Sequence, residues 1–101
     1  MKPKEFIFDN LEEFQTLVDN KHFSISHAVV TSILNNLKTR KKNVHVITVK
    51  CIYENTIFDI TLEKRHFIDT LQNNLKHFEE HELYEECAKI NKSIEYLSKI
   101  K

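Results

Sequence analysis

Between Val44 and Glu63 the residues are mostly β-branched or aromatic and alternate apolar with polar, whereas on either side apolar residues recur at helical spacing. Val44–Tyr53 and Thr56–Glu63 read as two strands joined by Glu54-Asn55, a two-residue loop in which Asn accepts the left-handed conformation. Pairing Tyr53 with Thr56 sets Cys51 opposite Phe58, Val49 opposite Ile60 and Ile47 opposite Leu62, so one face is wholly apolar. Thr48, Lys50, Asp59 and Thr61 take the other face together with Val46, Ile52 and Ile57, and a slip of one residue would mix the two. A lone hairpin is marginal in water, so helices must cover its apolar face. A further strand, or a second copy of the chain in a homodimer, can extend its edge.

Upstream, Phe6-Ile7-Phe8 predicts an edge strand or extended arm. Asn10 and Glu13 are spaced as a capping box before a helix over Leu11–Asp19 that buries Leu11, Phe14, Leu17 and Val18. After Asn20-Lys21-His22, Ser24 or Ser26 can cap a second helix with Ile25, Val29, Ile33 and Leu37 on one stripe, ending near Lys38 to Arg40. Downstream, Phe67, Ile68, Leu71, Leu75 and Phe78 mark a helix from Arg65 to Glu80. Leu83, Tyr84, Cys87, Ile90, Ile94 and Leu97 mark another from Leu83 to Lys99. The short join at His81-Glu82 forces these two antiparallel, so residues 65–99 form a helical hairpin. The predicted fold is α+β, one domain over residues 1–101, in the order (β)ααββαα with the first strand optional.

Composition narrows the function. The 101 residues are 41% hydrophobic and 30% charged with a formal net charge of +0, which disfavours both a disordered tail and binding by bulk charge. Glycine is absent, so no phosphate-cradling loop or dinucleotide fingerprint can be written in this chain. The lean toward Lys, Asn and Ile is that of AT-rich coding and points to a phage or an AT-rich bacterium. Cys51 and Cys87 are too far apart in sequence for a metal or redox motif and read as buried free thiols. Met1-Lys2-Pro3-Lys4-Glu5 precedes only three apolar residues, and no stretch approaches a membrane span, so a cytoplasmic protein is expected.

Three clusters are candidates for chemistry. His77-Phe78-Glu79-Glu80-His81 has the H-x-x-E-H spacing that puts two imidazoles on one helix face, and Glu85 or Cys87 could complete a looser metal set. Only 20 residues follow His81, too few for a peptidase cleft, so these residues read as solvent-facing, and no metal or cofactor is expected. Lys38, Arg40, Lys41 and Lys42 could hold phosphates, with Lys21, Lys50 and Arg65 joining them in space; complementing the negative pole of a helix end is the plainer explanation. Glu79, Glu80, Glu82, Glu85 and Glu86 straddle the turn of the helical hairpin with no lysine among them. Charge at the start of the last helix accounts for part of that cluster, and a docking surface for a basic partner accounts for the rest.

The segment from Leu75 to Leu97 resembles the UVR motif, the short helical hairpin of excision-repair nuclease subunits and Clp-protease regulators. Tyr84-Glu85 matches its aromatic-Glu pair, Cys87-Ala88 its two small residues, and Ile94 and Leu97 its closing stripe. Asn91 and Lys92 stand where the family has Arg-Asp, and the likeness covers about a quarter of the chain. It implies close helix packing at Cys87 and Ala88, with Tyr84 packed across the turn. It also implies docking to a protein rather than catalysis. The expected function is a non-enzymatic adaptor, a phage factor acting on a host machine, that engages a protein through Glu79, Glu80, Glu82, Tyr84, Glu85 and Glu86. The alternative is a small nucleic-acid-binding regulator using Lys38, Arg40, Lys41 and Lys42.

Overall fold

The computed structural model describes residues 4–100; Met1–Pro3, on which the reading of the N-terminal segment partly rests, and Lys101 lie outside the described residues. The elements are β1 (Lys4–Phe8), α1 (Leu11–Asp19), α2 (Phe23–Leu34), β2 (Asn43–Cys51), β3 (Thr56–Glu63), α3 (Phe67–Glu80) and α4 (Tyr84–Lys99), with a 3-10 turn at Lys64–His66 leading into α3. The fold is α+β, and the optional first strand is real. It pairs parallel with β2 in a sheet of order β1-β2-β3, while β2 and β3 run antiparallel. A parallel pair needs a crossover, which α1 and α2 supply. No described helix is long and apolar enough to cross a membrane.

The hairpin register differs from the sequence expectation. Cys51 pairs with Thr56 and Val49 with Phe58, a shift of two residues from the expected partners. Because side chains alternate with period two, the shift leaves the apolar face intact. The loop is therefore Ile52–Asn55, longer than Glu54-Asn55, with Asn55 left-handed at φ 50 as its residue type allows. The N–H groups of Ile52 and Tyr53 donate to the carbonyls of Phe8 and Asp9. Those two residues thus follow β1 instead of zipping up with β3.

A bulge between His45 and Ile47 changes the sidedness of the first half of β2. Val46, expected on the far face, is 2% exposed and joins the core beside Val44 and Ile47. The Ser32 hydroxyl donates to the Val46 carbonyl at 2.9 Å, so the irregular backbone is satisfied from α2. On the open face Ile7, Lys50 and Ile57 share one row across the three strands.

Helix boundaries follow local chemistry. Asn10 Oδ1 accepts from the Glu13 N–H, and the Glu13 carboxylate reaches back to the Asp9 N–H, one residue earlier than in a standard box. The Glu54 carboxylate accepts from the Leu11 N–H and ties the β2–β3 loop to the same helix end. Only Phe14 of α1 is buried; Leu11 and Val18 are exposed, because α1 rests on the sheet through Phe14, which meets Phe8 and Phe58 at ring distances of 5.5 and 5.9 Å. α2 is capped by the His22 ring, not by Ser24 or Ser26, and stops at Leu34, short of the expected Lys38 to Arg40. α3 and α4 fall close to the predicted ranges.

Two helix ends reverse in the same manner without glycine. After α1, Lys21 N–H donates to Val18 O and His22 N–H to Leu17 O; after α3, Glu82 N–H donates to Glu79 O and Leu83 N–H to Phe78 O. Both are Schellman motifs, with Lys21 (φ 51) and Glu82 (φ 57) at the position glycine usually fills. The buried side chains form one continuous cluster drawn from β1, all four helices and β2, with Ile33, Val49, Phe67, Leu71 and Ile90 wholly enclosed. Each such side chain contributes on the order of 2 kcal/mol of burial. A left-handed Lys carries a steric cost that Gly does not, so Lys21→Gly is expected to raise stability by roughly 0.5–1 kcal/mol in urea unfolding, whereas Lys21→Ala gives no gain.

Candidate functional site

The turn of the helical hairpin is His81-Glu82-Leu83. Its hydrophobic closure is between Leu83, half-buried, and Phe78, fully buried, the pair a Schellman motif brings together. Around it Glu79, Glu80, Glu82 and Glu85 are exposed and Glu86 is half-buried. None of the five carboxylates takes part in an ion pair or side-chain hydrogen bond within the described chain. The first N–H groups of α4 have no side-chain cap, so Glu85 and Glu86 in its first turn face the positive pole of that helix. Glu79, Glu80 and Glu82 have no such compensation.

Tyr84 does not pack across the turn. It is 64% exposed and stands among the carboxylates, while Leu83 does the packing. Ala88 is likewise exposed and only Cys87 of the small pair is buried between the helices.

The end of the hairpin is braced from the side by α2. The Phe23 ring lies 4.9 Å from Phe78 edge-on and 4.0 Å from His81 in a stack, and His27 stacks on Phe78 at 6.0 Å. His77, half-buried instead of solvent-facing, shares a 2.9 Å hydrogen bond with the Ser26 hydroxyl and so ties α3 to α2. Both histidines of the H-x-x-E-H spacing are thus engaged by α2, His77 by Ser26 and edge-on by Phe23, His81 by the stack on Phe23. Among the described residues no three His, Cys, Asp or Glu side chains are placed to hold a metal ion. Ser26–His77 is the kind of nucleophile–base pair that sequence spacing did not reveal. With Ser26 buried and no carboxylate hydrogen-bonded to the imidazole, its evident role is to hold the helices together.

The basic cluster is rearranged more than the acidic one. Lys38, Arg40, Lys41 and Lys42 lie beyond the end of α2, whose last turn carries no basic residue, so the helix-end explanation fails for α2. They line an open groove of about 640 Å³ together with Lys64 and Arg65. Arg65 joins as anticipated; Lys21 lines a separate hollow beside His77, and Lys50 is not among the groove residues. Lys64 was not anticipated, although the observed hairpin pairing, Asn43 with Glu63, puts Lys42 and Lys64 at the same end of the strands.

The chain matches no protein-family model, no curated protein and no solved structure.

Cys51 and Cys87 are free and buried. Burial pushes both thiols above the ordinary value of 9.0, with the nearby charges of Glu54 and Glu13 adding for Cys51 and those of Glu79 and Glu86 for Cys87. Both groups therefore favour the protonated folded state. Stability contributed by keeping them protonated is complete below the unfolded thiol value and is lost as pH rises through the raised folded values. The difference in stability between the native chain and a Cys51→Ala/Cys87→Ala double variant should accordingly shrink above pH 9.0 in chemical denaturation. A constant difference across that range would contradict the assignment.

Proposed function

We propose that this chain is a non-enzymatic binding protein that docks a basic surface of a protein partner with the turn of its C-terminal helical hairpin. The observation that carries the reading is an exposed tyrosine, Tyr84, set among five carboxylates that have no ion-pair or side-chain hydrogen-bond partner among the described residues. An unpaired acidic rim speeds encounter and selects for a basic partner, and a tyrosine in its midst is the residue type that most often anchors such a contact. The brace from α2 adds preorganisation: Phe23 and the Ser26–His77 hydrogen bond hold the turn, so little order has to be gained on binding.

The resemblance of Leu75–Leu97 to the UVR motif supports the same reading, since that hairpin is a protein contact element in its own family. A phage-encoded factor acting on a host machine in the cytoplasm would suit the size and the AT-rich residue usage. Homodimerisation through the strands is kept within the proposal, resting now on Ile7, Ile52 and Ile57 because Val46 is enclosed.

Affinity capture from source-cell lysate with immobilised chain tests the reading when run with and without nuclease. A captured protein that survives nuclease, is lost with Glu82→Lys/Glu85→Lys/Glu86→Lys and persists with Lys41→Glu/Lys42→Glu is the expected result. Tyr84→Ala should weaken the same contact by about 2 kcal/mol, roughly thirtyfold, in titration against that protein. Capture indifferent to the glutamate reversals would rule the hairpin turn out as the contact.

A further inference from the structure

The groove that gathers the cations lies at the opposite end of the helical hairpin from the carboxylates. Its walls are the segment 38–42, the 3-10 turn before α3 and the last turn of α4, and its floor is formed by Ile68, Tyr96, Leu97 and Ile100. Lys38, Arg40, Lys41, Lys42, Lys64 and Arg65 surround that floor. Among the described residues, the sole ion pair made by these six is Arg65 Nε with the Glu63 carboxylate at 2.5 Å. A second, smaller hollow of about 240 Å³ shares Lys38 and Tyr96 with the groove and adds Lys92, so the basic track continues along α4.

The segment 38–42 is built into place. The Lys64 ammonium donates to the Thr39 carbonyl at 2.6 Å, the Lys64 N–H to the Lys42 carbonyl at 2.7 Å, and the Lys41 N–H to the Thr39 hydroxyl at 3.2 Å. These bonds fix the backbone of the segment that carries the four exposed cations Lys38, Arg40, Lys41 and Lys42. Carbonyls at the end of α4 offer only about half a negative charge, far less than the cations gathered around them. The positive charge is in excess locally although the whole chain is neutral.

We infer that this groove is a binding site for single-stranded nucleic acid, with Lys38, Arg40, Lys41 and Lys42 on successive phosphates and a base stacked on Tyr96. The charge calls for a polyanion, since one isolated phosphate would leave most of the cations unneutralised. The half-buried aromatic ring on an apolar floor calls for a ligand with unpaired bases, which a duplex does not present. Neither feature belongs to the hairpin turn, so the inference stands or falls independently of the protein contact proposed above.

The probe is a fluorescein-labelled oligothymidylate of about 12 nucleotides, titrated with full-length chain by anisotropy and competed with unlabelled duplex DNA or inorganic polyphosphate of matched charge. Binding is expected to weaken with salt at a slope near −3, as about four released counterions require for a single strand. Lys41→Glu/Lys42→Glu, both exposed and outside the core, should weaken it at least tenfold, and Glu82→Lys/Glu85→Lys/Glu86→Lys should not weaken it. Tyr96→Leu should cost about tenfold for the oligonucleotide and nothing for polyphosphate, because stacking is lost while the charges remain. Should that variant fold poorly, upfield shifts of the native Tyr96 ring protons, seen with oligonucleotide and not with polyphosphate, provide the same discrimination. Equal competition by polyphosphate with no response at Tyr96 would overturn the inference in favour of a general anion sink. Preference for the duplex, or binding indifferent to Lys41 and Lys42, would overturn it as well.

Discussion

α2 is clamped between the sheet and the helical hairpin, and the arrangement of everything else follows from how closely it fits. Val30 and Ile33 are enclosed on α2, which packs against β2 and the C-terminal helices, and Ser26, Ala28 and Ser32 are buried beside them. Burying hydroxyls is costly unless they are bonded, and both are: Ser32 to the Val46 carbonyl at the bulge of β2, Ser26 to His77 of α3. One helix thus fixes the irregular backbone of the central strand and the angle of the hairpin.

The same clamp separates the charges. The α3–α4 pair ends in carboxylates at its turn and in the cation-lined groove at its base, and α3 alone, with 14 residues rising about 1.5 Å each, sets these some 20 Å apart. That exceeds the screening length of about 8 Å at physiological ionic strength, so the charge at one end does not cancel the charge at the other. A net charge of zero conceals this division. It also explains why composition alone argued against binding by charge while local geometry favours it.

Most of the architecture was legible because the helical and strand periods are distinct and seldom interrupted. The stripe of Phe67, Leu71 and Phe78 and that of Cys87, Ile90 and Leu97 are buried as their spacing required. What was misread depended on contacts between distant segments. The hairpin loop widened because Ile52 and Tyr53 are drawn to β1, and Val46 turned inward because of a bulge with no mark of its own in the residues. α2 stops at Leu34 through a series of turns closed by Asn35, Asn36 and Thr39 N–H groups, which its apolar stripe alone did not signal. At the hairpin turn most of the carboxylates are exposed as their residue types suggest and Leu83 packs as its place on the stripe required, but Tyr84 does not, because the Schellman closure selects the residue after Glu82 for packing. The cationic groove was half visible, and the true strand register would have added Lys64 to it.

Amide hydrogen exchange on the native chain measures the central constraint most directly, since a clamped element can open only when the whole fold opens. The account predicts that the N–H groups from Val30 to Ile33 of α2 exchange as slowly as those of Val46 to Val49 in β2, near the limit set by global unfolding. Exchange in α2 at the faster rate of the one-sided helix α1, with β2 and α3 still protected, would show that α2 opens independently and that the clamp does not exist.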